Sequence, residues 1–247
     1  MIFSASTTTR MPLYLAAWLS ILYMIMVGEC SDSSVVMIES SSVGEIYAAC
    51  NVVKYSHGTQ FDANVNEVLK TLADKTPKTG FSCVTGSEDQ LLAKCESLPK
   101  LQSLQGRLQC RGDLSPPDCR ACSEQAVESI RRDCPNAIGA RVQLEFCFLR
   151  YENYSFLSKV DSSYWYGLVN VNSDNDERFN EAARGLMADL STKAPMCWRD
   201  VSAKDCATCL SKGIEQMFSC CSGRVGVQIF MDSCNLRYEI YPIAKHY

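Results

Sequence analysis

Phe61, Val65, Val68, Leu69 and Leu72 recur at helical spacing, which predicts an amphipathic helix ending before Pro77. A second helix is predicted after Ser115-Pro-Pro-Asp118. Ser115 suits the N-cap, Pro116 the first helical position, and Asp118 the position that closes a capping box. Cys119, Cys122, Ala126, Ile130 and Cys134 then form its inner face. From Gly139 to Tyr151 the chain is β-branched and aromatic enough for one long strand or two short ones. Further on, Ser202-Ala-Lys-Asp205 repeats the helix start, and 224–231 and 234–241 repeat the strands. The expected unit is a small α+β domain with two helices on one face of an antiparallel sheet, present twice in tandem.

The duplication is explicit in the cysteines. Cys110, Cys119, Cys122, Cys134 and Cys147 recur, 87 residues on, as Cys197, Cys206, Cys209, Cys221 and Cys234. Each copy reads C-x8-C-x2-C-x11-C-x12-C and carries Leu-Arg-Tyr-Glu at its end (149–152 and 236–239). Over the 45 residues from each first cysteine there are 15 identities, the mark of a duplicated domain. The copies are unequal. Phe61 to Cys110 spans 49 residues, whereas the corresponding Phe179 to Cys197 spans 18. The second domain is therefore expected to be shortened, with a smaller sheet or edges borrowed from its neighbour.

Composition then narrows the chemistry. Arg10 precedes a largely apolar run from Pro12 to Val27, followed by Gly28-Glu29-Cys30-Ser31, which reads as a secretory signal peptide over 1–30. The run is short for a spanning helix, and the expected mature product has no membrane span. Ser-rich 31–42 would be a flexible start, with domains over 43–154 and 155–247. Fifteen cysteines suit an oxidising route, and fourteen, an even number, remain if cleavage follows Cys30. A net charge of −4 without a basic tract argues against nucleic acid as the main partner.

The two Cys-x2-Cys pairs, 119/122 and 206/209, admit zinc or thiol redox chemistry on spacing alone. Only two histidines are present, each pair belongs to a larger repeat, and a secreted chain oxidises such thiols, so structural disulfides are the plain expectation. His57 and His246 are poorly placed for a nucleophile-base pair, and no Gly-rich phosphate loop occurs. No enzyme, cofactor or metal is expected.

This doubled cysteine grid in a secreted chain resembles the plant cysteine-rich repeat secretory proteins, built from ginkbilobin-2-homologous, or stress-antifungal, domains (domain of unknown function 26). Asn136-Ala-Ile-Gly-Ala-Arg-Val-Gln-Leu144 and Cys147-Phe-Leu-Arg-Tyr-Glu152 are similar to the seed antifungal protein ginkbilobin. The same tandem forms ectodomains of receptor-like kinases and plasmodesmata-located proteins. Neither a kinase nor a later membrane segment occurs, so a secreted, apoplastic member is expected. The resemblance implies disulfides Cys50–Cys134, Cys110–Cys119, Cys122–Cys147, Cys197–Cys206 and Cys209–Cys234. It leaves Cys83 and Cys95 as a plausible loop closure and the fate of Cys220 and Cys221 open, since Leu168 stands where a partner for Cys221 would be.

Ginkbilobin-type domains bind mannose through an Asn, an Arg and a Glu, which match Asn51, Arg141 and Glu152. Such a trio offers an amide, a fork of donors and a charged acceptor to vicinal hydroxyls. The plainer alternative is that Arg141 and Glu152 form a surface ion pair on adjacent strands. In copy two Gln228 replaces Arg141, so no second sugar site is expected. Asn153-Tyr-Ser155 is a glycosylation sequon beside Glu152. Two functions follow as expectations: a mannose-binding defence protein that recognises mannose-type glycans or fungal wall sugars, or an apoplastic module for protein partners at the cell surface.

Overall fold

The computed structural model describes residues 35–38, 44–86, 89, 92–163, 165–174, 176–193 and 197–243. The expected signal peptide over 1–30 lies outside these, as does most of 31–42. The first half contains β1 (Val35–Ile38), β2 (Glu45–Asn51), α1 (Gln60–Thr79), β3 (Phe81–Thr85), β4 (Glu96–Ser97), β5 (Gln105–Cys110), α2 (Pro116–Asp133), β6 (Ala140–Leu144) and β7 (Cys147–Glu152). Its seven strands are ordered β1-β2-β6-β7-β5-β3-β4, antiparallel except for the short β3–β4 pair. The second half contains β8 (Trp165–Val169), α3 (Glu177–Lys193), α4 (Ala203–Cys221), β9 (Gly226–Met231) and β10 (Asn235–Glu239), with sheet order β10-β9-β8.

Local chemistry fixes the helix ends. Ser115 Oγ accepts from Asp118 N at 3.3 Å, and Ser202 Oγ from Asp205 N at 3.2 Å, so both copies start their second helix with the same cap. The first helix departs from expectation: α1 continues through Pro77 to Thr79 and stops at Gly80, whose φ of 77° places it in the left-handed region. Pro77 sits in the last turn, where its missing N–H removes a single helical bond, and Gly80 N closes onto Thr76 O at 2.7 Å.

Strand alternation divides the first sheet into two faces. Leu108, Val142 and Leu149 point to one face and join Val68, Leu72, Ala126 and Ile130 of α1 and α2 in the core. The second domain builds its own core from Val227, Ile229 and Met231 against Leu210, Met217 and Phe218 of α4 and Met187 of α3. Where copy one inserts β3, β4 and β5, copy two has no counterpart strand among the described residues, and its sheet has three strands.

Seven disulfides staple the described residues. Cys50–Cys134, Cys110–Cys119 and Cys122–Cys147 tie the first sheet to α2, and Cys83–Cys95 closes a loop beside β3. Cys197–Cys206 and Cys209–Cys234 occupy the matching places in copy two. Cys221, which has no counterpart of Cys50 to meet, bonds its chain neighbour Cys220 at the end of α4.

Candidate functional site: a buried charge cluster between the two sheets

The opposite face of the first sheet is polar. It carries Gln105, Arg107 and Gln109 from β5, Arg141 and Gln143 from β6, and Arg150 and Glu152 from β7. Alternation of this kind ordinarily marks a face in water. Here Arg107, Arg141, Arg150 and Glu152 are all buried, because the second domain lies over them.

Arg107 and Asp200 form the centre of the contact. Arg107 Nη1 donates to Asp200 Oδ1 at 3.2 Å and Oδ2 at 3.0 Å, and both side chains are 1% exposed. Arg107 Nη2 also donates to the Asp232 carbonyl. The guanidinium lies 5.7 Å from the ring centroids of Phe148 and Trp198 and 5.3 Å from that of Phe156. These rings exclude water and add cation–π attraction. Burial pulls the Arg107 pKa down against the pull of Asp200.

Asp232 is the second anchor. Arg141 Nη1 donates to its Oδ2, and Arg150 Nη1 lies 3.5 Å from the same atom. Burial opposes ionisation of Asp232, but Arg150 and Arg141 outweigh it and hold the carboxyl below its usual range. Arg150 Nε donates to Glu152 Oε1 at 3.0 Å. Glu152 behaves oppositely, since burial pushes its pKa up despite Arg150 and Arg141. Trp198 Nε1 donates to the Asp232 carbonyl at 2.7 Å, and its ring stacks on Phe148 at 4.8 Å.

The connecting segment is pinned from both sides. Gln105 Oε1 accepts from Phe156 N and Leu157 N at 2.9 and 3.0 Å. Ser158 N donates to Asp200 Oδ2 at 3.0 Å, and Asp161 N to Ser233 Oγ at 2.7 Å. Tyr47, Tyr166 and Phe230 pack together at another edge of the contact. Removing one partner from such a buried pair leaves an uncompensated charge in the contact.

The three residues considered for mannose are gathered near Gly139. Asn51 N donates to the Gly139 carbonyl at 2.9 Å, and a Cβ on Gly139 would lie 1.9 Å from Glu152 Oε2. Their polar groups have other partners. Asn51, half-buried, accepts from Val53 N at 3.0 Å, Arg141 engages Asp232, and Glu152 engages Arg150. Arg141 and Glu152 thus belong to a buried network across the domains rather than to an exposed pair on neighbouring strands. Asn153 follows β7 directly and is half-buried.

Copy two repeats part of this geometry. Arg150 Nη2 donates to Tyr154 Oη at 2.9 Å, and Arg237 Nη2 to Tyr241 Oη at 3.0 Å. Arg237 Nε donates to Glu239 Oε1 at 3.2 Å, and Glu239 Oε2 would lie 1.9 Å from a Cβ on Gly226. Gln228, in the place of Arg141, pairs in register with Arg237.

Sequence reasoning missed Arg107, Arg150, Asp200 and Asp232. The polar alternation of β5 to β7 marks the face, but only the docked second domain shows that it is covered. Among the described residues no group of three or more His, Cys, Asp or Glu is arranged to hold a metal, and no helix is long and apolar enough to cross a membrane.

Comparison with known proteins agrees with this tandem architecture. The model of the salt stress response/antifungal family (Stress-antifung) matches residues 49–154 and 155–241. The chain is 28% identical to cysteine-rich repeat secretory protein 55 of Arabidopsis thaliana, covering 80% of this chain and 82% of that one. It is 29% identical to the antimicrobial ginkbilobin-2-like protein of Castanea crenata, over 77% and 84% of the two chains. The crystal structure of the tandem DUF26 ectodomain of the Arabidopsis thaliana cysteine-rich receptor-like protein PDLP8 superposes with a TM-score of 0.69 at 28% identity, covering 79% of this chain and 96% of that one. With both halves matched, the chain belongs to the salt stress response/antifungal family as a tandem of two such domains.

Proposed function

We propose that this chain is a secreted, apoplastic defence-type recognition module whose two domains act as one rigid body that docks protein partners at the cell surface. The observation that carries the reading is the commitment of Arg107, Arg141 and Arg150 to Asp200 and Asp232 between the domains. The polar face of the first sheet thereby serves internal assembly, and recognition falls to the outer surfaces. Secretory and ectodomain relatives support an extracellular setting. The test is binding of the immobilised, fully oxidised protein to an array of plant extracellular receptor ectodomains. Saturable binding to at least one supports the reading, and a blank array counts against it.

A second reading, mannose held by Asn51, Arg141 and Glu152, is favoured by the gathering of all three around Gly139. It requires Arg141 to share itself between sugar and Asp232. Retention on mannose-agarose that is lost in Arg141→Ala and kept in Gln228→Ala would support it. No retention of the oxidised protein would reject it.

A further inference from the structure

In the first domain β5 lies along β7, paired in register from Gln105 opposite Glu152 to Cys110 opposite Cys147. In the second domain only the last of these pairs has a counterpart, the isolated bridge between Cys197 and Cys234. β10 is therefore an edge strand, although its Leu-Arg-Tyr-Glu is the same tetrapeptide that β7 presents to β5.

The phase of the backbone shows which groups this leaves over. Arg111 N donates to Phe146 O at 2.7 Å, so the two-residue alternation turns the backbones of Arg150 and Glu152 toward β5. Trp198 N donates to Ser233 O at 3.3 Å in the matching place, so Arg237 and Glu239 turn theirs to the open side. Among the described residues no strand meets them there.

Side chains on both faces of the sheet record the same loss. Val68 of α1 packs over β5 and is fully buried, and a Cβ on Gly106 would lie 2.5 Å from its Cγ1. With Phe61 matched to Phe179, Leu186 of α3 takes the place of Val68, and it is 50% exposed. On the polar face Phe156 lies 5.3 Å from the Arg107 guanidinium and is 5% exposed, whereas its counterpart Ile243 is 37% exposed. Tyr241 accepts from Arg237 as Tyr154 does from Arg150 while β5 is in place, so it leaves room for a strand.

The first domain also shows what fills such a slot. Gly106 stands opposite Tyr151, where Val68 and Leu72 leave no room for a side chain, and Leu108 stands opposite Leu149 in the core. Arg107 stands opposite Arg150, a like-charge pair that relies on Asp200 and Asp232. Arg237 has only Glu239 as an ion-pair partner among the described residues, and Asp113 beside it is bonded to Arg111. An acidic residue is therefore the complement opposite Arg237. Glu145, exposed on the facing rim, disfavours a second one opposite Asn235.

We infer that the open edge of β10 binds an extended segment of a partner protein as an added antiparallel strand. That segment places glycine opposite Tyr238, an acidic residue opposite Arg237 and an apolar residue opposite Leu236. The inference rests on the protein-docking reading above and assigns the surface that does the docking.

The test uses 15N-labelled, fully oxidised protein and blocked peptides of residues 104–110 with Cys110→Ser. One peptide carries Arg107→Glu, a second keeps Arg107, and a third carries Arg107→Glu with Gly106→Val. Without peptide, the amides of Arg237 and Glu239 should exchange fast with solvent while those of Arg150 and Glu152 stay protected. The Arg107→Glu peptide should shift the Arg237 and Glu239 amides saturably and slow their exchange. Affinity should fall about fivefold with either other peptide, and in the protein variant Leu186→Asp, as loss of a cross-strand or apolar contact predicts. Protection of Arg237 and Glu239 in the free protein overturns the inference. So does silence of these amides at millimolar peptide, or an equal response to all three peptides. If the peptides are silent while an ectodomain binds and Leu186→Asp leaves that binding unchanged, the docking reading stands and the edge assignment falls. A blank ectodomain array with the first peptide bound would instead defeat the docking reading and keep the edge site.

Discussion

Arg107 and Asp200 face each other through two hydrogen bonds of 3.2 and 3.0 Å, 93 residues apart in sequence and both shut off from water. Arg107 comes from the middle of β5, and Asp200 from the turn between the Cys197 bridge and α4. The pair therefore joins the centre of one domain to a disulfide-anchored corner of the other.

Asp200→Ala removes the counter-charge while leaving Arg107 buried, and should lower the unfolding free energy by roughly 3–5 kcal/mol. Asp200→Asn, which keeps an acceptor for Arg107 and for Ser158 N, should cost less. Urea denaturation with the disulfides intact measures both.

Asp232 and Glu152 should give opposite pH dependence. The folded pKa of Asp232 is depressed, because Arg150 and Arg141 overcome its burial. Its contribution is present above the unfolded value of about 3.9 and is lost as pH falls through the folded value. The folded pKa of Glu152 is raised by burial against Arg150 and Arg141. Its contribution is fully present below the unfolded value of about 4.3 and is lost as pH rises through the folded value. Asp232→Asn should therefore destabilise most at neutral pH and converge on wild type in acid. Glu152→Gln should match wild type in acid and equal or exceed it at pH 7. Melting temperatures from pH 3 to 7 distinguish the two.

Glycine is required beneath both carboxylates. A Cβ at Gly139 or Gly226 would stand 1.9 Å from Glu152 Oε2 or Glu239 Oε2. Gly139→Ala should cost about 1–3 kcal/mol, because Glu152 is enclosed by Arg150 and the second domain. Gly226→Ala should cost at least as much, since the Glu239 side chain is as enclosed as that of Glu152 and a Cβ there would also stand 2.6 Å from Glu239 Cδ. Chemical denaturation of the two variants gives the comparison.

The Cys220–Cys221 bond is local to α4, so Cys220→Ser should release one thiol and leave the other six bonds in place. Maleimide labelling in denaturant should find no thiol among residues 44–243 of the wild type and one in the variant. Peptide mapping should place that thiol at Cys221, and a labelled cysteine at any other position would mean that Cys220 pairs elsewhere.

Much of the fold is legible because its signals are local. Ser115 and Ser202 announce their helices through side chains that reach three residues ahead, and the cysteine spacing marks both copies. Pro77 misleads because the helix end is decided by Gly80, whose backbone takes the left-handed turn, and not by the proline three residues earlier. The site is less legible for a non-local reason. Arg107, Arg141, Arg150 and Glu152 alternate as solvent-facing residues should, and nothing local to β5, β6 or β7 announces that Asp200 and Asp232 arrive from the other domain. Copy comparison holds a faint trace: Asp232 stands where copy one has Glu145, which is exposed at the β6–β7 turn.

The claim that the charge cluster welds the domains into one body is tested most directly by scanning calorimetry of the oxidised protein and of Asp232→Asn. The account predicts a single wild-type transition whose calorimetric and van't Hoff enthalpies agree, and a lowered or split transition in the variant. Two independent wild-type transitions, with the variant melting identically, would contradict it.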